Sequence, residues 1–200
     1  GPEAVWLGGN PLSPAGLTLP ASPQARVVAL PTGSIEPGSD DPADVVDAAR
    51  RTWSGEGRER FDSAWAGLRA QADRLGVALW ARPHAGDVMG DVPALRQIAA
   101  GKTGIDRVLL DPAGLLTPGM LGVAEDHLQR MIEPLEGTAR IGATLVTNVE
   151  PEIDSDGAGL RRVPISAGVI DSAVLLAFAE RAGRAGPVCV LPGDADLLGG

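Results

Sequence analysis

The sequence has little basic charge, a single cysteine and no long apolar run, and each shortage excludes a class of protein. Its 17 Lys and Arg residues against 26 Asp and Glu residues give a net charge of −9, which argues against nucleic acid as a partner, because phosphate binding needs a basic face. Cys189 stands alone, so an internal disulfide framework is excluded and a reducing, cytoplasmic location is expected. Charged residues, Gly or Pro interrupt every apolar stretch before it reaches the length of a membrane span, so no membrane partner is expected.

The composition and length are those of a globular protein with one sizeable core. Hydrophobic residues make up 44% and charged residues 22% of the 200 residues, whereas an eight-stranded βα barrel usually needs roughly 250. We expect two parts: a Pro/Gly-rich N-terminal segment, residues 1–25, with one short strand, and a single (β/α) barrel-like domain, residues 26–200.

Apolar runs and helical periodicity alternate along the chain. Strands are predicted at 4–7, 26–30, 77–81, 107–110, 141–146 and 188–191, and helices at 44–53, 58–75, 92–100, 123–135 and 171–182. This alternation predicts a parallel sheet with right-handed crossovers. Six strands predict a barrel that is incomplete, open, or completed by another chain; in the last case a homo-oligomer or a partner chain is expected. The polar segment 150–162 is expected to be a mobile loop.

Polar residues follow two neighbouring strands of the predicted sheet. The segment 76–86, GVALWARPHAG, and the segment 106–114, DRVLLDPAG, each combine a short apolar strand with polar residues and a glycine. In a parallel βα barrel, chemistry takes place where the strands end. The sequence therefore predicts that Arg82, His84 and Asp111 share one rim of the sheet.

Four segments of the chain, in order, resemble the fifth to eighth strands of the xylose-isomerase-like TIM barrels. They are RLGVALWARPHAG, DRVLLDPAG, RIGATLVTN and VPISAGVIDSAVLLAFAERAGRAGPVCVLPGD. That family includes sugar-phosphate isomerases and epimerases and the endonuclease IV group, and the resemblance covers residues 27–193. It implies an α/β, TIM-barrel-like fold, here incomplete or divergent.

The resemblance also implies a metal site, and most of its ligands are missing. The family holds one divalent cation with Glu, Asp, His and Glu at these strand ends, where the metal polarises a carbonyl and its neighbouring hydroxyl. The corresponding positions in this chain are Arg82, Asp111, Leu145 and either Leu191 or Pro192; Gly114 and Asn148 replace a further family His and Asp. We therefore expect no metal site, with Mn²⁺, Mg²⁺ or Zn²⁺ bound only if Asp194 or Asp196 substitutes for the missing ligands.

The retained and altered positions are the candidate site residues. His84 and Asp111 are the candidate catalytic groups, and Arg82, Thr147 and Asn148 are the candidate ligand-binding groups. Arg82 has two interpretations: it binds a carboxylate or phosphate in the vacated metal position, or it forms an ion pair with Asp111 that fills a dead site. His84 is either an acid or base, or a structural residue.

Three interpretations of the whole chain stay open at this point. The first is a degenerate barrel, a pseudoenzyme without metal-dependent isomerase activity, that binds a small anionic or sugar-like molecule or a protein. The second is a sugar (phosphate) isomerase- or epimerase-like enzyme with a metal-free or rearranged site. The third is a segment of a longer polypeptide whose other strands complete the site.

The sequence also gives expectations for three single residues. Cys189 lies in an apolar strand and is expected to be buried. His127 lies in a polar helical stretch and is expected to be exposed. Trp80 alternates with Leu79 and Ala81, and its ring faces either the barrel interior or the helices.

Overall fold

A computed structural model describes residues 4–20, 25–154, 157–191, 194 and 196. The strands within these residues are β1 (Ala4–Trp6), β2 (Val27–Pro31), β3 (Ala78–Arg82), β4 (Val108–Leu110), β5 (Ile141–Leu145), β6 (Asn148–Asp154), β7 (Gly157–Val163) and β8 (Val188–Cys189). The α-helices are α1 (Pro42–Thr52), α2 (Gly55–Leu75), α3 (Val92–Ala99), α4 (Ala124–Ile132) and α5 (Ser172–Gly183), and short 3-10 helices span Ala113–Leu115, Pro118–Val123 and Glu133–Leu135.

Six strands form one parallel sheet in the order β1-β2-β3-β4-β5-β8. The order follows the chain without reversing, as in successive units of a βα barrel, whereas a doubly wound sheet reverses at a switch point. Among the described residues β1 and β8 each pair with one neighbour only, so the sheet is open. The predicted α/β fold, an incomplete parallel barrel with six strands, is confirmed.

Local signals in the sequence set where the helices begin and end. Asp41 caps α1, with its side chain accepting a hydrogen bond from the Ala43 amide, and Ser54 caps α2 in the same way through the Glu56 amide. Gly76 ends α2 in the left-handed region, at φ +67°, which a glycine adopts at little cost. The chain therefore enters β3 directly after α2, as predicted. No helix in the described ranges is both long enough and apolar enough to cross a bilayer.

The two faces of the sheet carry different cores. On one face the strand residues pack against the helices in the main core, which includes Val28, Leu30 and Phe61. On the other face a small cluster contains strand residues only: Ala29, Leu109, Ala143 and Leu145, with Trp80 packed against them. Trp80 therefore lies on the helix-free face of the sheet. A side chain at Gly142 would meet its ring at 2.6 Å, so only glycine fits beneath this indole.

The prediction of a mobile loop over 150–162 is wrong, because its described residues, 150–154 and 157–162, belong to the antiparallel strands β6 and β7. Pro151 and the charged residues of β6 conceal the strand pattern, since proline is tolerated in a strand that forms a sheet edge. Opposite residues share a face, so Val149 and Arg162 lie on one side while Glu150 pairs with Arg161 on the other.

Two further expectations for single residues are wrong. Cys189 is exposed, because β8 is a two-residue strand at the edge of the described sheet and its neighbours cover little of it. His127 is half-buried instead of exposed, with Nε2 3.3 Å from the carbonyl oxygen of Leu115. In both cases the surroundings come from distant parts of the chain.

Candidate functional site

Parallel pairing brings the carboxyl ends of β3 and β4 to one edge of the sheet. Arg82 is the last residue of β3, and Asp111 directly follows β4. Side chains alternate along a strand, so Arg82 projects from the same face as Trp80, the face without helices. The rim that the segments 76–86 and 106–114 predict therefore forms at the carboxyl ends of β3 and β4, on the face of the sheet without helices.

Asp111 is fully buried and is the centre of the site. The guanidinium of Arg82 donates to Asp111 Oδ2 from Nε at 3.0 Å and from Nη2 at 2.5 Å, and the amide of Gly114 donates to Oδ1 at 3.1 Å. A buried carboxylate keeps its charge only when it is paired and hydrogen-bonded. The predicted proximity of Arg82 and Asp111 is thus present in the structure.

Arg162 of β7 is a second guanidinium at Asp111, and the sequence analysis missed it. Its Nη2 donates to Asp111 Oδ2 at 2.7 Å and lies 2.9 Å from Nε2 of His84. Its Nε is buried and has no hydrogen-bond partner among the described residues. Gly114 stands where the resembled family has a His, and this glycine is a sequence signal for the arrangement. A Cβ at this position would lie 2.7 Å from His84 Nε2 and 2.8 Å from Arg162 Nη2, so the close packing of the two side chains requires a glycine.

The contact with Arg162 defines the protonation state of His84. A guanidinium can only donate, so the short contact requires Nε2 of His84 to accept, and the imidazole is neutral with its proton on Nδ1. Burial lowers the pKa of His84 to about 4; the charge of Asp111 opposes this, and the charges of Arg162 and Arg82 add to it. His84 therefore contributes no positive charge to the site at neutral pH.

We predict that His84 makes the protein less stable as the pH falls from about 7 to 4. In that window this histidine is protonated in the unfolded chain but not in the folded protein. The free energy of unfolding therefore decreases as the pH falls, until the pH reaches the pKa of His84 in the folded protein. A pKa shift of this size corresponds to a loss of at most ~3 kcal/mol in the free energy of unfolding. Because 35% of the His84 side chain is exposed, we expect a loss of about 1–2 kcal/mol.

Urea denaturation at pH 7 and pH 5 measures this effect of His84. The free energy of unfolding should depend less on pH in His84→Gln than in the parent. The matched control His127→Gln should retain the slope of the parent, and an unchanged slope in His84→Gln would contradict the prediction.

Asp87 is a second carboxyl group near this rim. Its Oδ2 accepts hydrogen bonds from the amide and the hydroxyl of Thr32, at 3.0 and 3.1 Å. Burial raises the pKa of Asp87, while hydrogen bonds from Gly33 and Thr32 and the charge of Arg82 act in the opposite direction. Asp87 thus links the loop after β3 to the end of β2 and lies within the electrostatic reach of Arg82.

The other two candidate ligand-binding residues lie after β5, and the structure gives them different surroundings. The Asn148 amide donates to the carbonyls of Ile165 and Ile170 at 2.8 and 2.7 Å, and its oxygen accepts from the amides of Val149 and Ile170 at 2.8 and 3.0 Å. These four bonds use the full capacity of the amide. The hydroxyl of Thr147 is buried, and no residue that the structure describes forms a hydrogen bond with it.

The side chains present do not fit the divalent cation that the resemblance implies. Asp111 Oδ2 already receives hydrogen bonds from two guanidiniums, whose positive charges oppose a cation. Asp194 is buried and accepts a hydrogen bond from the amide of Ile165 at 2.9 Å, whereas Asp196 is exposed; Pro192 lies outside the described residues. In the described part of the chain, no three His, Cys, Asp or Glu side chains are arranged to hold a metal ion.

No protein-family model and no curated protein matches the chain, but solved structures do. It is similar to a mannonate dehydratase from Streptococcus suis serotype 2, with a TM-score of 0.44 and 15% identity over 82% of this chain and 55% of that one. It is similar to a xylose isomerase-like TIM barrel protein from Mycobacterium smegmatis in complex with magnesium, with a TM-score of 0.42 and 15% identity over 84% and 54%. It is also similar to a xylose isomerase domain protein from Planctomyces limnophilus, with a TM-score of 0.47 and 16% identity over 88% and 55%.

Two of these three solved proteins are described as a xylose isomerase-like TIM barrel protein and a xylose isomerase domain protein. The chain spans about half the length of each of the three solved chains.

Proposed function

We propose that this protein is a small-molecule-binding module, without metal-dependent isomerase activity, whose site binds an anionic group between Arg82 and Arg162. One observation carries the proposal: two guanidiniums converge on the single carboxylate of Asp111. The ligand we propose is a small, sugar-like molecule that carries a carboxylate or phosphate group.

Two guanidiniums donate to one buried carboxylate oxygen in this cluster. Arg82 and Arg162 both contact Asp111 Oδ2, and His84 is neutral because it accepts a hydrogen bond from Arg162. An anion that contacts the guanidiniums would accept charge-assisted hydrogen bonds from them. The second guanidinium distinguishes the cluster from a simple ion pair that fills a dead site, for which one guanidinium is enough.

The cluster is accessible and preorganised. The side chains of Arg162 and His84 are 31% and 35% exposed, so a ligand can reach them from solvent. Asp111 holds both guanidiniums in place, and Asn148 anchors the base of the hairpin that carries Arg162. Groups fixed before binding lose little conformational entropy when the ligand arrives.

The test is a titration with small anions followed by NMR of the arginine Nε–H signals at low ionic strength. Acetate and inorganic phosphate serve as probes, and we expect at least one of them to shift the Arg162 signal in a saturable manner. Arg162→Gln should weaken binding at least tenfold because it removes one of the two guanidiniums that would donate to the anion. Arg161→Gln is the matched control, since Arg161 lies on the opposite face of the hairpin and pairs with Glu150 and Glu152.

Two outcomes would overturn the proposal. One is the absence of saturable binding by either anion, or equal binding by Arg162→Gln and the parent. The other is stoichiometric binding of Mn²⁺ or Zn²⁺, measured by thermal shift and metal analysis, that is lost in Asp111→Ala. The second outcome would instead support an enzyme with a rearranged metal site.

A further inference from the structure

We propose that α1 is a self-association surface, on which a second copy of this chain packs its own α1 in the antiparallel direction. The apolar stripe of this helix is exposed to solvent, and the charges beside the stripe complement an antiparallel copy of the same helix. This inference is independent of the proposed anion binding, because none of its residues belongs to the anion site.

The apolar residues of α1 face solvent instead of the core. Five large hydrophobic side chains are exposed among the residues that the structure describes, and three of them, Val45, Val46 and Trp53, belong to α1 or to its C-cap. Val46 is 61% and Trp53 is 67% exposed. At about 100° per residue, these positions lie within one sector of about 100° on the helix, together with Pro42 and Ala49. Exposed apolar side chains that form one continuous stripe indicate an interaction surface.

A different strip of the helix anchors α1 to the rest of the protein. Ala48 and Thr52 are the buried residues of α1. The hydroxyl of Thr52 donates to the carbonyl of Ala48 at 2.9 Å and accepts from the amide of Ile35 at 2.8 Å. These contacts hold the helix in place and leave its apolar stripe uncovered. A second copy therefore meets a preformed helix, and association loses little conformational entropy in ordering it.

The charges beside the stripe favour a second copy in the antiparallel direction. Asp44 and Asp47 lie in the first half of α1, whereas Arg50 and Arg51 lie in the second half. A two-fold axis near the middle of the helix brings Asp47 of each copy beside Arg50 of the other. Parallel packing would instead place like charges together. Asp47 is 52% and Arg50 is 75% exposed, and within one helix they are 3.6 Å apart, so both side chains can reach a second copy.

The size of the stripe sets the strength of the association. The helix has 11 residues, so at about 1.5 Å per residue it is about 16 Å long. A helix face of this length buries less than the roughly 800 Å² per partner of a standard interface. We therefore expect a reversible dimer with a Kd of about 100 µM, which forms at high protein concentration.

Sedimentation equilibrium of the full chain between about 10 and 500 µM tests the surface. The parent should show a monomer–dimer equilibrium, and Val46→Glu should weaken it at least tenfold by placing a charge in the apolar stripe. Val123→Glu is the matched control, because Val123 is 59% exposed but lies before α4, and it should retain the Kd of the parent. A parent that stays monomeric at 500 µM would overturn the proposal. A dimer that Val46→Glu leaves unchanged would also overturn it and would indicate association through another surface, such as an edge of the sheet.

Exchanging the two charges tests the antiparallel direction. Asp47→Arg leaves two basic residues beside the stripe, and Arg50→Asp leaves two acidic ones, so each variant alone should dimerise at least tenfold more weakly than the parent. An equimolar mixture of the two variants should recover the dimer, because opposite charges then meet at both contacts. If the mixture stays monomeric at concentrations where the parent dimerises, the proposed pairing of Asp47 with Arg50 is wrong.

Discussion

Replacing Asp111 by asparagine should lower the free energy of unfolding by about 3–5 kcal/mol, because breaking a buried charge network leaves uncompensated charges. Asp111 is fully buried, and both Arg82 and Arg162 donate to the same oxygen of its side chain. Asparagine keeps the size of the side chain and one acceptor but removes the negative charge. Urea denaturation at pH 7.5 and constant salt measures the difference.

Two comparison variants make the Asp111→Asn result specific. Asp106→Asn removes an acidic group that is 66% exposed and paired with Arg69, and it should cost less than about 1 kcal/mol. Adding Arg162→Gln to Asp111→Asn should recover part of the lost stability, since one of the two guanidiniums that have lost the carboxylate is then gone. A loss below 1 kcal/mol in Asp111→Asn would show that the guanidiniums are hydrated independently of the carboxylate, contrary to the account of the site.

The main sheet and its helices were predictable because their signals are local. Each of the six strands is a short apolar run, and the helices between them have caps that can be identified in the sequence, such as Asp41 before α1 and Gly76 after α2. Parallel neighbours end at the same edge, so the proximity of Arg82 and Asp111 followed from strand order alone. The face that Trp80 occupies could not be predicted, because its neighbours Leu79 and Ala81 are also apolar and the strand pattern therefore marks neither face as the buried one.

The contribution of Arg162 to the site could not be predicted, because Arg162 and Asp111 are 51 positions apart in the sequence. Arg162 reaches Asp111 from a hairpin whose β6 strand contains a proline and several charges, a pattern that indicates a loop. Arg162 and Arg161 are adjacent in the sequence, and only the register with Val149 and Glu150 shows which of the two faces the site. Gly114 was a visible departure from the family pattern, but its reason, the space taken by His84 and Arg162, exists only in three dimensions.

Replacing Asn148 by alanine should also lower the free energy of unfolding by about 3 kcal/mol or more. Its amide bonds four backbone groups: the N–H and the carbonyl of Ile170, the carbonyl of Ile165 and the N–H of Val149. Each buried backbone group left without a partner costs about 1–3 kcal/mol, and alanine removes the side-chain partner of all four. Urea denaturation measures the loss, and a residue whose role was only to contact a ligand would show none in the absence of that ligand.

The adjacent Thr147 provides the matched control for Asn148→Ala. Its buried hydroxyl has no hydrogen-bond partner in the described part of the chain, so Thr147→Val removes an unsatisfied polar group and keeps the shape of the side chain. We expect this variant to be as stable as the parent or more stable by up to about 1 kcal/mol. Asn148 also lies at the base of the hairpin, where its neighbour Val149 pairs with Arg162, so Asn148→Ala should broaden or shift the Arg162 Nε–H signal while Thr147→Val leaves it in place. If Asn148→Ala instead retained full stability and lost only anion binding, the amide would act on the ligand, as the sequence alone first indicated.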